Sequence, residues 1–305
     1  MRPGAPPGRR CAAHRWGRRP CDPRLVDGGE RGHAGRACRI GAEGASDVEH
    51  HKTAEAGEVG RLRTDQEAYR EAFGRFLAGT DETAATHAYL REVVERLPAR
   101  RVFLDVGAGD GTTTRFLAPW FGRTVCVEPS APMRHALARA VPQAEVVGEA
   151  VDAARVDARA DLALLSHVLY YVPRVRWAAT VARILEWVAP GGLLLVLLQD
   201  PGNACMRMVH HFTGHRFDLR ELAGELAALP AGLVAGSGLD VVPACYRSRD
   251  LEETVMVAGF HLSVPGGPPV AREAVEAYVR RHFGDGEGGY AFRHDQHVLR
   301  VERGR

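Results

Sequence analysis

Residues 103–111 read FLDVGAGDG. Four residues suited to a buried strand run into a turn that holds Gly107, Gly109 and Gly111, with Asp105 and Asp110 on either side. A turn stripped of Cβ atoms lets a ligand come close to the main chain. Dinucleotide binders use G-x-G-x-x-G at the mouth of a helix, where amides and the helix dipole face a diphosphate. Here the spacing is G-x-G-x-G, and two carboxylates beside a diphosphate would oppose it. The turn therefore predicts a ligand that is neutral or positive at this point.

The next strand refines that prediction. RTVCVEPS, residues 123–130, is a short β-branched run ending in Glu128, near the distance at which doubly wound folds hold a ribose diol. Each charge-assisted hydrogen bond of that kind contributes about 1.5–3 kcal/mol. An acid there suits a dehydrogenase as well as a methyltransferase, and the loop decides between them. An adenosine carrying a cationic amino-acid sulfonium fits; a nicotinamide dinucleotide does not.

Outward from this point, strands and helices alternate. Strands are expected at 101–106, 123–127, 145–148, 161–166 and 193–199, the last a continuous apolar run fed by the Pro190-Gly191-Gly192 turn. Helices are expected after Gly111, at 131–140 and at 174–188, with Val175, Ala178, Val181, Ile184, Leu185 and Val188 as the inward stripe of the last. Before them, TDQEAYREAFGRFLAGT reads as a helix capped by Thr64, with Tyr69, Phe73, Phe76 and Leu77 on one face; a second helix spans about 81–97. After them come helices at 203–213, 218–228 and 271–283 and strands at 239–246 and 291–301. The predicted fold is α/β: a doubly wound, Rossmann-like sheet of seven strands, five parallel in the core and two added antiparallel at one edge, under a helical cover.

Composition sets the bounds. The chain has 305 residues, 45% of them hydrophobic, and a net charge of +2, so no global field points to nucleic acid. LLLVLL at 193–198 is too short to span a bilayer. Six cysteines without paired or zinc-like spacing predict free thiols in a reducing, cytoplasmic setting. Residues 1–40 hold ten arginines among Gly and Pro with little apolar pattern, too few apolar groups to offset ordering entropy. Lys52 is the only lysine in the chain. Residues 1–60 are thus expected to be a disordered tail or an over-extended start, and 61–305 the folded domain: 61–98 a helical cover, 99–200 the cofactor core, and 201–305 the substrate region and final strands.

FLDVGAGDG, VEPSAPM, DLALLSHVLYYV and APGGLLLVLL, in that order, resemble the class I S-adenosylmethionine-dependent methyltransferases. From about residue 65 onward, DQEAYREAFGRFLAGTDE, VEPSA, LYYV and YAFRHDQHVLRV resemble the histamine N-methyltransferase group. The resemblance implies S-adenosyl-L-methionine as cofactor. It places Gly107 and Gly109 at the methionyl part, Glu128 at the ribose, Met133 and Glu149 at the adenine, and Ser166 at the amino-acid end, with Asp105, Ala108 and Pro129 also in the cofactor site. On the substrate side it implies Glu82 as the amine anchor, Tyr171 in the pocket wall, and Tyr69 and Phe73 where the first helix closes over the ligand. His167 and His294 stand where that group carries polar amides, which argues against histamine itself.

Methyl transfer from a sulfonium is an in-line displacement, and alignment of the reacting atoms supplies roughly 7–11 kcal/mol. An amine must arrive unprotonated, and a histidine can take its proton. His167, next to Ser166, is the candidate catalytic residue; a strand-end histidine satisfied by main-chain carbonyls is the alternative. Glu82 either anchors an amine or complements a helix dipole. Asp105 either contacts the cofactor or caps loop amides, and Tyr170 and Tyr171 either pack a strand end or face a cation. His210, His211, His294 and His297 lack metal-ligand spacing, so no metal is expected. The sequence thus predicts a monomeric enzyme that methylates nitrogen of a small amine, guanidine or imidazole compound, without nucleic-acid or membrane partners. An O-methyltransferase and a non-catalytic S-adenosylmethionine-binding protein are the alternatives.

Overall fold

The strand β1 (Val102–Val106) lies between β2 (Arg123–Val127) and β4 (Ala160–Ser166), parallel to both. In this computed structural model residues 58–59, 62 and 67–305 are described. The expected tail, apart from residues 58–59, and the Thr64 cap lie outside the described residues. β3 (Glu145–Val147) pairs with β2, and β5 (Val188–Gln199) with β4, both parallel. β7 (Gln296–Arg303) runs antiparallel to β5 and to β6 (Val234–Val242), giving the order β3-β2-β1-β4-β5-β7-β6. This is the predicted sheet of five parallel strands with two added at one edge. Its central strands read as unbroken apolar runs because helices cover both faces. Leu104, Leu162, Leu165, Leu194 and Leu197 are among the side chains with no exposed surface. Each contributes about 1.5–3 kcal/mol by leaving water.

The start of β1 is tied to β4 by Asp161. Its carboxylate accepts from the Arg101 amide at 2.6 Å and from the Arg101 guanidinium at the same distance. Helices α1 (Glu67–Gly79) and α2 (Glu82–Arg96) precede the sheet; α3 (Thr112–Leu117), α4 (Ala131–Ala140) and α5 (Trp177–Glu186) alternate with its strands. After β5 come α6 (Ala204–Thr213) and α7 (Leu219–Leu226), and after β6 come α8 (Leu251–Leu262) and α9 (Arg272–His282).

Five elements depart from expectation. α5 starts at Trp177, preceded by a 3-10 turn, Arg174–Arg176, so Val175 is 92% exposed rather than part of an apolar stripe. Val188, expected to close that helix, already belongs to β5, and Pro190–Gly192 form an irregularity inside the strand instead of a turn before it. The stretch 291–301 is two strands: Tyr290–Arg293 pairs with Cys245–Ser248 in a separate ladder, and β7 begins only at Gln296. The expected strand 239–246 divides in the same way, between β6 and Cys245–Ser248. Helix α8, capped by Asp250 accepting from the Glu253 amide at 3.1 Å, has no counterpart in the sequence reading.

A two-residue ladder, Glu58–Val59 with Val270–Ala271, lies outside the main sheet. Cys126 and Cys205 are buried free thiols, whereas Cys245 is disulfide-bonded, against the expectation of free thiols throughout. Among the described residues no helix is long and apolar enough to cross a membrane.

Candidate active site

The glycine turn closes on itself. Gly107 and Ala108 donate their amides to the Val127 carbonyl at 2.7 and 3.3 Å, Gly111 donates to the Ala108 carbonyl at 3.0 Å, and Thr112 donates to Asp110 Oδ1 at 2.9 Å. The Gly109 amide donates to Glu128 Oε2 at 2.9 Å. These donors are committed within the protein, so they form no amide cradle for a diphosphate. All three glycines have positive φ, which only glycine adopts freely. A Cβ on Gly107 would lie 2.2 Å from Val168 Cγ2, and one on Gly111 2.7 Å from Leu137 Cδ1, whereas one on Gly109 would meet nothing within 4 Å. Two glycines thus permit packing, and the middle one stands in open space. A bare backbone edge, a carboxylate at the tip of β2 and no anion cradle fit S-adenosylmethionine.

Glu128 is buried and holds the turn from the other side, its Oε1 accepting from the Ser130 amide at 2.8 Å. Among the described residues Asp105 takes no loop amide, which corrects the capping alternative; it accepts from Thr114 Oγ1 at 2.7 Å. Burial, opposed by that hydrogen bond and reinforced by the charge of Glu128, raises the Asp105 carboxyl from 3.8 to about 7. Arg134, on α4, donates to the carbonyls of Glu128 at 3.1 Å and Pro129 at 2.6 Å and so fixes the end of β2.

A cavity of ≈ 320 Å³ opens beside the turn. It is lined by Asp105, Gly107 and Ala108 on one side and by Tyr69, Phe73, Glu82, Ser166, His167 and Tyr171 on the other. Expected cofactor and substrate residues therefore share one space. Gly109, Glu128, Pro129, Met133, Glu149 and His294 do not line it: Gly109 lies in the turn, the next four at the ends of β2 and β3 and on α4, with Pro129 and Glu149 exposed, and His294, expected at the substrate, is fully buried behind Glu82.

At the base of the cavity stands Glu82. Its Oε1 lies 3.2 Å from His167 Nε2, and its Oε2 3.2 Å from His294 Nδ1. Thr80 and Asp81 dock the start of α2 on the strand Cys245–Ser248: Thr80 bridges to Tyr246, and Asp81 Oδ1 accepts from the Cys245 amide at 2.7 Å. Thr80 Oγ1 also accepts from the Glu82 amide at 3.1 Å and lies 2.7 Å from His294 Nε2. His294 arrives there because the chain leaves one ladder at Arg293 and enters β7 at Gln296, and its amide donates to the Ala244 carbonyl at 3.1 Å. Burial alone would raise the Glu82 carboxyl. Hydrogen bonding and charge from His167 and His294 outweigh it and hold the group ionised, well below the usual carboxylate range.

His167 is, among the described residues, the non-glycine residue with positive φ, +59°. Such backbone is costly outside glycine and gathers at functional sites. It turns the ring off the end of β4 toward Glu82, while its amide donates to the Leu197 carbonyl at 3.0 Å. The ring stacks on Tyr170 with centroids 5.9 Å apart. Over the cavity the Tyr69 and Tyr171 hydroxyls meet at 3.2 Å, joining α1 to the turn after β4. Tyr69, Phe73 and Phe260 form a continuous aromatic wall, with centroids 5.2–6.4 Å apart.

Sequence reasoning missed Thr86, His87, Gln199, Phe260 and His261, all of which line the cavity. Thr86 was findable, one helical turn after Glu82. Phe260 and His261 come from the unread α8. Among the described residues no group of three or more His, Cys, Asp or Glu side chains is placed to hold a metal.

Residues 78–261, more than half of the chain, match the family described as methyltransferase domain, and the chain belongs to that family. The fold and site define an S-adenosylmethionine-dependent methyltransferase. Among solved structures the chain is similar to a putative methyltransferase, BH2331, of Bacillus halodurans C-125: 14% identity, 72% of this chain and 99% of that one covered, TM-score 0.52. It is also similar to the YcgJ protein of Bacillus subtilis: 12% identity, 72% and 99% covered, TM-score 0.50. The N-methyltransferase NodS of Bradyrhizobium japonicum WM9 with S-adenosyl-l-homocysteine aligns at 14% identity over 79% of this chain and 100% of that one, TM-score 0.49. No curated protein matches the chain as a relative.

Proposed function

We propose that this enzyme methylates the nitrogen of a small amine, guanidine or imidazole compound. The observation that supports this reading is the ionised Glu82, held between His167 and His294 at the base of an aromatic-walled cavity beside the glycine turn. A buried carboxylate kept charged there attracts a cationic head, and the rings of Tyr69, Phe73 and Phe260 suit its apolar body.

When bound, S-adenosylmethionine supplies a methyl group on a cationic sulfur, which an uncharged nitrogen lone pair can displace. Glu82 orients the substrate's head. His167 accepts a proton from the nitrogen, and the carboxylate 3.2 Å away stabilises the imidazolium so formed. The Tyr69 and Tyr171 hydroxyls, 3.2 Å apart, join α1 to the turn after β4 in the wall beside the pair. The same reading makes the acceptor a small molecule rather than nucleic acid.

Incubation with S-adenosylmethionine and a panel of amines, guanidines, imidazoles and hydroxyl compounds, with products analysed by mass spectrometry, tests the reading. N-methyl products are expected. His167→Asn, whose side chain tolerates the same backbone, should lower kcat about 100-fold while S-adenosylhomocysteine affinity changes less than twofold. O-methylation alone, or tight cofactor binding without turnover across the panel, overturns the reading.

A further inference from the structure

Among the described residues, three buried polar atoms of the cavity lining have no hydrogen-bond partner: Thr86 Oγ1, Gln199 Oε1 and His261 Nε2; Glu82 Oε2, near them, faces His294 Nδ1 at 3.2 Å. Buried polar atoms left unmatched are costly and rare. Their gathering on one wall therefore marks what the ligand must supply.

An ionised carboxylate only accepts. His261 Nδ1 lies 2.9 Å from the Val257 carbonyl, which can only accept, so Nδ1 carries the hydrogen. Burial lowers the pKa of this ring to about 4. At neutral pH its Nε2 is therefore a bare lone pair. Gln199 offers its carbonyl oxygen, and Thr86 stands on the same face of α2 as Glu82. His261 belongs to the same corner as Glu82 and His294, because Phe76 packs edge-on against both imidazoles, with centroids 4.8 and 5.2 Å away.

Resting on the nitrogen-methylation reading above, we propose that the acceptor site counts N–H groups. Gln199 Oε1 and His261 Nε2 each accept one from the substrate's cationic head, whose charge Glu82 balances; the head is a primary ammonium, whose third N–H is left for His167, or a guanidinium. His261 is the uncharged residue that sets this specificity. A quaternary cation satisfies the charge of Glu82 and leaves the other two acceptors unmatched. A hydroxyl compound brings one donor and no charge. Aromatic walls from Tyr69, Phe73 and Phe260 place the ammonium at the end of an arylalkyl body.

The test uses the full chain saturated with S-adenosylhomocysteine. Calorimetry measures phenethylamine, its N-methyl, N,N-dimethyl and N,N,N-trimethyl derivatives, and phenethylguanidine. Affinity is expected to fall at least tenfold from the primary ammonium to the trimethyl cation, with the guanidinium binding no more weakly than the primary ammonium. Equal affinity along the series, or binding by none of its members, overturns the proposal. His261→Phe keeps the aromatic packing against Phe76, Phe260 and Phe292; it should weaken the primary ammonium about tenfold and leave the trimethyl cation unchanged. An undiminished slope in that variant removes His261 from the role, and the wild-type series stands as the measurement should the variant not fold. Methyl transfer is read separately by mass spectrometry. A graded series without N-methyl product overturns the function and keeps the cavity assignment; product with a flat series does the reverse.

Discussion

Replacing Asp105 by asparagine should stabilise the cofactor-free protein in mild alkali and leave it little changed in acid. Asp105 is 2% exposed beneath the glycine turn, and its carboxyl is raised from 3.8 to about 7, burial being the largest cause. The folded state thus binds this proton more tightly than the unfolded chain. Stability is full below about pH 4, falls as pH rises from about 4 to 7, and is level above that. The interval from 3.8 to about 7, at 1.36 kcal/mol per pH unit, amounts to about 4 kcal/mol at most. Asparagine retains an oxygen for the Thr114 hydroxyl and cannot ionise. Its amide group needs a partner of its own, at about 1–3 kcal/mol if none is found. The net expectation at pH 8 is a gain of about 1–3 kcal/mol, shrinking to zero or reversing at pH 4. Urea unfolding of both proteins at pH 4, 6 and 8 measures it. An offset that does not change with pH would refute the reasoning, because only an ionising Asp105 makes the difference pH-dependent.

Two further outcomes follow from the turn. Gly111→Ala should cost about 2–4 kcal/mol, from left-handed backbone and the 2.7 Å approach to Leu137, whereas Gly74→Ala, in open space on α1, should gain about 0.5–1 kcal/mol; thermal melts compare them. Glu128→Ala frees the Gly109 and Ser130 amides and should weaken S-adenosylhomocysteine binding by about 1–3 kcal/mol by calorimetry, and unchanged affinity removes Glu128 from the cofactor site.

The sheet and the turn were legible because their physics is local. A strand covered on both faces is a continuous apolar run, and a turn with positive φ at three positions requires three glycines. β2 and α4 match the reading to the residue. Helix α8 was illegible for a physical reason: Thr254, Val255, Val257, Ala258, Gly259 and Leu262 are all buried, so it carries too little polar contrast to show a helical period. Its loss hid Phe260 and His261. The division of 291–301 was equally hidden, since an alternating pattern continues through His294 while the chain changes sheets there. Val175 failed in the opposite direction, an apolar residue on a surface 3-10 turn with nothing to pack against. Glu82 and His167 were found through resemblance, and only the fold brings them within 3.2 Å of one another. Thr80 and its hold on His294 depend on a pairing across 214 positions, which no local pattern reports.

The handover at His294–Asp295 also separates two kinds of change open to this enzyme. The cofactor turn is assembled from β1, β2 and α4, whereas His294 is set by where the final hairpin strand releases the chain. Lengthening or shortening the segment between Cys245 and Arg293 would displace that imidazole without disturbing Gly109 or Glu128. Such a scaffold can acquire new acceptors by editing that one segment, which carries α8 and α9, while its methyl-donor half stays constant.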